Sequence, residues 1–222
     1  MVLSTHISSI AERILNEETL SIPDRSEVNM IEVRSLAKTN VIPTLKRVLD
    51  STNVTTKNIT LNGVSCLEVK PPKIKVPWSI IYGFGGGFVQ GSPNEDLTIA
   101  APLSAKIGTK VIIPDYRLAP ENPWPAAIDD GFQVYQAICK KPFGIVGESA
   151  GGNLALALML RAKKVGLPLP SAAALLSPFC DLDHTHTPHT LAPPRAPPCV
   201  CVWTRAPPPP PTCSYPHPRR HP

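Results

Sequence analysis

Residues 147–151 read Gly-Glu-Ser-Ala-Gly, and they stand between an apolar run, FGIV at 143–146, and a helix-forming run, GGNLALALMLRAKK, that continues to residue 164. A serine flanked by small residues at such a junction fits a tight strand-to-helix turn. There the hydroxyl projects above a sheet and the helix N-terminus faces any negative charge that develops nearby. The pattern therefore demands a sheet strand feeding directly into a helix, which confines the fold to layered α/β arrangements. Small residues also occur at strand–helix junctions with no chemistry, so the pentapeptide by itself leaves a structural and a catalytic reading open.

The rest of the chain up to residue 183 agrees with such a fold. The segment at 55–69 alternates in the manner of two strands around Asn62-Gly63, a strong hairpin signal. Short β-rich runs at 76–84, 110–116, 143–149 and 172–178 then alternate with helical windows near 97–108, 126–139 and 150–165. Strand and helix in turn at these lengths predict a mostly parallel sheet with helices on both faces. Ahead of the sheet, 5–19 and about 28–51 read as amphipathic helices, giving a helical cap segment over 1–54. Residues 55–183 form the α/β core.

Composition changes abruptly beyond Asp183. Residues 184–222 hold 13 of the 28 prolines and five of the six histidines, with no Asp, Glu, Lys or Gly. A segment of that alphabet is expected to be a disordered tail with polyproline II stretches, outside the sheet. Its four arginines, 195, 205, 219 and 220, supply most of the formal +5 charge, so the body is nearly neutral and offers no basic face for nucleic acid. The spacing Arg205-x-x-Pro208-x-x-Pro211 fits an SH3-type ligand. Six cysteines without a CxxC pair, a start lacking the basic-then-apolar order of a secretory signal, and no apolar run of spanning length lead to the expectation of a cytoplasmic protein without a membrane span.

Two further segments bear on chemistry. Gly85, Gly86 and Gly87 follow an apolar strand, and three successive glycines leave backbone N–H groups free to approach a substrate oxygen, as in an oxyanion hole. A phosphate cradle would require GxxxxGK[ST] or GxGxxG opening a helix, and neither is present. Residues 115–127, DYRLAPENPWPAA, form a rigid proline-rich loop in which Arg117 is expected to pair with Asp115 and Glu121 in a structural network.

GGGFVQGS at 85–92, DYRLAPENPWPAA at 115–127, GESAGGNLA at 147–155 and LLSPFCDL at 175–182, in that order, resemble the hormone-sensitive-lipase-like branch of the α/β-hydrolases over about residues 55–182. The resemblance implies an α/β-hydrolase fold that lacks its last strands, and a carboxylic ester hydrolase acting on short-to-medium acyl esters without a cofactor or metal. It implies Ser149 as the acylated nucleophile, with the N–H of Ala150 joining those of Gly85, Gly86 and Gly87 around the oxyanion. The family has His before its three glycines, where this chain has Phe84.

The family also places an acid and then a His on loops after later strands. Here the only acids after Ser149 are Asp181 and Asp183, and the histidines are 184, 186, 189, 217 and 221, with His6 on the N-terminal helix. The triad acid and His are therefore unassigned, and the chain is expected to be inactive or weakly active. The cluster from Asp181 to His189 is read as an adventitious metal binder. Two alternatives to catalysis are a small-molecule binder, as in plant gibberellin receptors that resemble this family, and a scaffold whose tail recruits partners.

Overall fold

The computed structural model describes residues 30–180 and 200–204. The sequence-predicted helix at 5–19, His6, the cluster from Asp181 to His189 and the SH3-type spacing all lie outside the described residues. Helix α1 runs over Met30–Thr52 and is followed by the hairpin β1 (Thr55–Leu61) and β2 (Val64–Lys70). Asn62 and Gly63 make the turn with φ of 47° and 85°, conformations that Asn tolerates and Gly adopts freely. From there the chain alternates: β3 (Ser79–Gly83), α2 (Leu97–Ile107), β4 (Lys110–Pro114), α3 (Ala126–Ile138), β5 (Phe143–Glu148), α4 (Ala150–Lys164) and β6 (Ala172–Leu176).

The strands form one sheet in the order β1-β2-β4-β3-β5-β6, with a further strand, β7 (Val200–Thr204), beyond β6. β4, β3, β5 and β6 are parallel, each joined to the next in sequence by a helical crossover, while the hairpin joins β4 antiparallel through β2. The three central strands are buried almost throughout, which explains their unbroken apolar runs. Side-chain alternation divides the core between the two faces. Val111 and Ile113 share the main cluster with Leu97, Ala100 and Ala101 of α2, whereas Ile112 packs with Val64, Cys66 and Val134 of α3 on the opposite face. α4 lies beside α3 over β3, β5 and β6, and α1 packs outside α2. Among the described residues no helix is long and apolar enough to cross a membrane.

β7 corrects the expectation that nothing after residue 183 joins the sheet. It pairs antiparallel with β6 from Leu176↔Val200 to Ala172↔Thr204. β6 presents a free edge of N–H and C=O groups, and Val-Cys-Val-Trp-Thr is a β-branched and aromatic run able to fill it. Averaging composition over the whole 39-residue tail conceals these five residues.

Candidate active site

β5 delivers Ser149 to the N-terminus of α4, and the turn there is unusually constrained. Ser149 has φ 51° and ψ −115°, a region that a residue with a β-carbon occupies only when its surroundings enforce it. The enforcement is visible. Its N–H donates to the Leu176 carbonyl at 2.9 Å, and its own carbonyl accepts from Gly152, Asn153 and Phe179 at 3.0–3.1 Å. The neighbouring glycines are required by close approach: a β-carbon at Gly147 would strike the Gly151 backbone, and one at Gly151 would strike the Gly83 carbonyl. The turn is thus pressed between β3, β6 and its own helix.

The Ser149 side chain makes no hydrogen bond to any described residue, and it is half-buried at the helix end. Ala150 follows as the first residue of α4, so its N–H belongs to the first turn, where no intrahelical acceptor exists. The sequence-predicted glycine loop approaches from β3. Gly86, Gly87 and Phe88 have φ of 114°, 64° and 63°, and the Gly86 carbonyl accepts from the N–H groups of Val89 and Gln90 at 3.1 and 3.0 Å. Three consecutive positive φ values fold the loop into a tight bend.

What holds this loop is Phe84, which stands where the family has His, together with partners that sequence reasoning did not single out. Phe84 is fully buried and stacks on Tyr116, with ring centroids 4.0 Å apart and planes inclined by 6°. The Tyr116 hydroxyl donates to the Phe84 carbonyl at 2.7 Å. On the other side of the same peptide unit, the Gly85 N–H faces the Asp96 carboxylate, which also accepts from the Tyr82 hydroxyl at 2.9 Å. One peptide is therefore gripped at its oxygen and at its nitrogen. Glu148 closes the space beneath it, since a β-carbon at Gly85 would collide with the Glu148 carboxylate. Phe84 itself is fixed by packing and makes no side-chain hydrogen bond.

Burial dominates the electrostatics of this layer. It pushes the Asp96 carboxyl above its ordinary range, opposed by the Tyr82 and Gly85 hydrogen bonds, and it raises Glu148, with the Asp96 charge adding to the effect. Tyr82 and Tyr116 are driven upward by burial and by the same two carboxylates, so both remain neutral donors. Neither carboxyl group hydrogen-bonds Ser149. The described residues contain no histidine, and no group of His, Cys, Asp or Glu among them could hold a metal ion.

The proline-rich loop is organised differently from the sequence expectation. Arg117 grips Asp130 rather than Asp115 or Glu121: its Nε and Nη2 reach the two carboxylate oxygens at 2.9 and 2.8 Å, and its own N–H donates to Oδ2. α3 brings Asp130 within reach, whereas Glu121 points to Arg34 on α1. An apolar cavity of about 230 Å³ lies between this loop, Phe88 and α4, with Ala119, Trp124, Ile128 and Asn153 among its walls. A second cavity of about 300 Å³, lined by Lys38, Cys66 and Asp115, sits on the hairpin side of the sheet. Burial pushes the Cys66 thiol up to about 12, which removes it as a nucleophile.

Comparison with known proteins agrees with this architecture. The alpha/beta hydrolase fold family matches residues 80–204. An esterase of Acinetobacter venetianus is 38% identical over 167 residues, covering 69% of this chain and 55% of its own length. Human hormone-sensitive lipase is 30% identical over 59% of this chain and 13% of its own. Among solved structures, an esterase from the bacterial hormone-sensitive lipase family is 28% identical with a TM-score of 0.64, over 74% of this chain and 55% of that one. An esterase/lipase from an uncultured bacterium is 31% identical with the same TM-score, over 78% and 58%. The chain thus spans about half the length of the Acinetobacter esterase. With its sheet order, its Ser149 turn and these likenesses taken together, the chain belongs to the α/β-hydrolase fold family and is similar to its hormone-sensitive-lipase-like esterases.

Proposed function

We propose that residues 55–180 carry the nucleophile and oxyanion half of a carboxylic ester hydrolase site. In this reading the Ser149 hydroxyl oxygen attacks an ester carbonyl, its proton leaves to a base, and the alcohol departs to give an acyl-enzyme that water then cleaves. The N–H groups of Ala150, Gly86 and Gly87 accommodate the oxyanion, helped by the dipole of α4. Gly85 contributes chiefly by orienting its successors, since its N–H is turned toward Asp96. The observation that carries the reading is the positive-φ Ser149 at a helix N-terminus beside a glycine loop of three positive φ values. Short-to-medium acyl esters fit the modest apolar cavity behind Phe88.

Turnover by this chain is expected to be very low, because no described residue supplies a base to Ser149. Losing the base of a serine hydrolase costs about six orders of magnitude in kcat. The cavity, which is mainly apolar and flanked by Trp124, favours a second reading in which an ester-like ligand binds without being cleaved. Labelling by a fluorophosphonate, with Ser149→Ala as control, tests both. Ser149-dependent labelling supports a formed and activated site. Ligand binding by folded protein that resists labelling supports the binder.

A further inference from the structure

We infer that Arg34 is a positioning residue for the glycine loop, fastening it through α1 to the proline-rich loop and so fixing the direction of the Gly86 and Gly87 N–H groups. The inference rests on reading those groups as oxyanion donors. Arg34 is distant in sequence from both loops, yet its guanidinium meets acceptors on each. Nε donates to the Val89 carbonyl at 2.8 Å, and Nη2 donates to the Ala119 carbonyl at 2.7 Å. The remaining donors take Glu121 in a two-pronged pair, Nη1 to Oε1 at 2.8 Å and Nη2 to Oε2 at 2.9 Å.

A direct bond between the loops closes the circuit: the Ala119 N–H donates to the Phe88 carbonyl at 2.9 Å. Consecutive carbonyls of the glycine loop, Phe88 and Val89, are thereby held by the proline-rich loop and by Arg34 respectively. This is the segment that needs holding. Gly86, Gly87 and Phe88 all have positive φ, and a run of sparsely populated conformations persists only where its surroundings over-determine it. The bend closes on the Gly86 carbonyl through the N–H groups of Val89 and Gln90, whose peptide units carry the Phe88 and Val89 carbonyls, so fixing those carbonyls from outside fixes the bend from which Gly86 and Gly87 project.

The chemistry specifies arginine. Three acceptors in different directions require the planar fork of five donors, whereas a lysine ammonium on its stem reaches one of them at a time. The Arg34 side chain is 20% exposed against 48% for Glu121, so the carbonyl-facing side of the guanidinium is the sheltered one. The Glu121 arm is therefore the lesser part, as expected of a partly solvated pair.

The test compares the full chain with Arg34→Lys and Arg34→Met. Hydrogen exchange is read in peptides covering 85–91 and 117–123, with β5 as an internal standard. Ser149 phosphonylation is read as maximal rate and half-saturating reagent concentration. Both loops are expected to exchange at least about tenfold faster with β5 unchanged. The maximal rate is expected to fall about tenfold or more while half-saturation stays put, since misaimed donors lose transition-state stabilisation. Unchanged exchange in the two loops overturns the inference, and so does faster exchange with an unaltered labelling rate. A wild-type chain that is not labelled at all refutes the nucleophile reading instead, and exchange then decides the fastening alone. Should both variants unfold, Glu121→Gln provides a milder perturbation. A rise of two- to threefold in the same two peptides supports the circuit, and no rise refutes it.

Discussion

Tyr116→Phe isolates one bond of the grip on the glycine loop. The substitution removes only the hydroxyl that donates to the Phe84 carbonyl at 2.7 Å, and the ring remains to stack on Phe84. Tyr116 is 2% exposed and Phe84 is fully buried, so no water replaces the lost donor. The carbonyl has no other hydrogen-bond partner among the described residues, and an orphaned buried acceptor costs about 1–3 kcal/mol. Taking about 2 kcal/mol, and about 2–4 °C per kcal/mol for a domain of this size, Tm should fall by roughly 4–8 °C with the urea m-value unchanged. Tyr135→Phe is the matched control. Its hydroxyl also donates to a carbonyl, that of Pro168 at 2.8 Å, but it sits between α3 and the loop after α4, away from Ser149. Both variants should lose similar stability, as measured by urea denaturation. Only Tyr116→Phe should slow Ser149 phosphonylation, by about tenfold, because only it loosens the peptide preceding the glycines proposed as oxyanion donors. A Tyr116→Phe loss under about 0.5 kcal/mol, or equal labelling of the two variants, would refute the reasoning.

Ser149→Gly should abolish labelling yet raise stability by about 1 kcal/mol in urea titration, since glycine adopts φ 51° without the strain that a β-carbon brings; a loss of stability contradicts the strain. Asp96 has its folded pKa raised by burial, so its protonated form is favoured in the fold. Its contribution is fully present below the unfolded pKa and is lost as pH rises through the folded value. The urea midpoint of wild type relative to Asp96→Asn should therefore increase as pH falls from 7 toward about 4; a decrease reverses the sign and defeats the assignment. Val202→Pro places a residue without an N–H opposite Ala174, interrupting the β6–β7 ladder. It should lower Tm and increase light scattering on heating as the β6 edge is uncovered, and a variant indistinguishable from wild type would show that the edge pairing is dispensable.

Nearly every element between residues 30 and 180 was legible in the residues themselves. The hairpin turn at Asn62-Gly63, the strand before Ser149 and the helix after it fall where hydrophobic period and turn chemistry put them. Those signals are local: a period of two or 3.6 residues is written by near neighbours, and the glycines around Ser149 advertise a junction with no room for side chains. The candidate nucleophile and the glycine loop were visible for the same reason. The partners that brace them were not. Tyr116 meets the Phe84 carbonyl across 32 positions, and Arg34 meets Val89 across 55 and Glu121 across 87, distances that only the stacking of crossovers on the sheet can close. Local reasoning paired Arg117 with the acids beside it in sequence, but α3 carries Asp130 to it instead. It also averaged away a five-residue strand whose partner is the exposed edge of β6. Periodicity and small residues at a turn are properties of a segment, so the sequence alone determined the elements and the Ser149 junction. Which oxygen each buried donor finds depends on how separate segments pack, and that was decided by the tertiary structure.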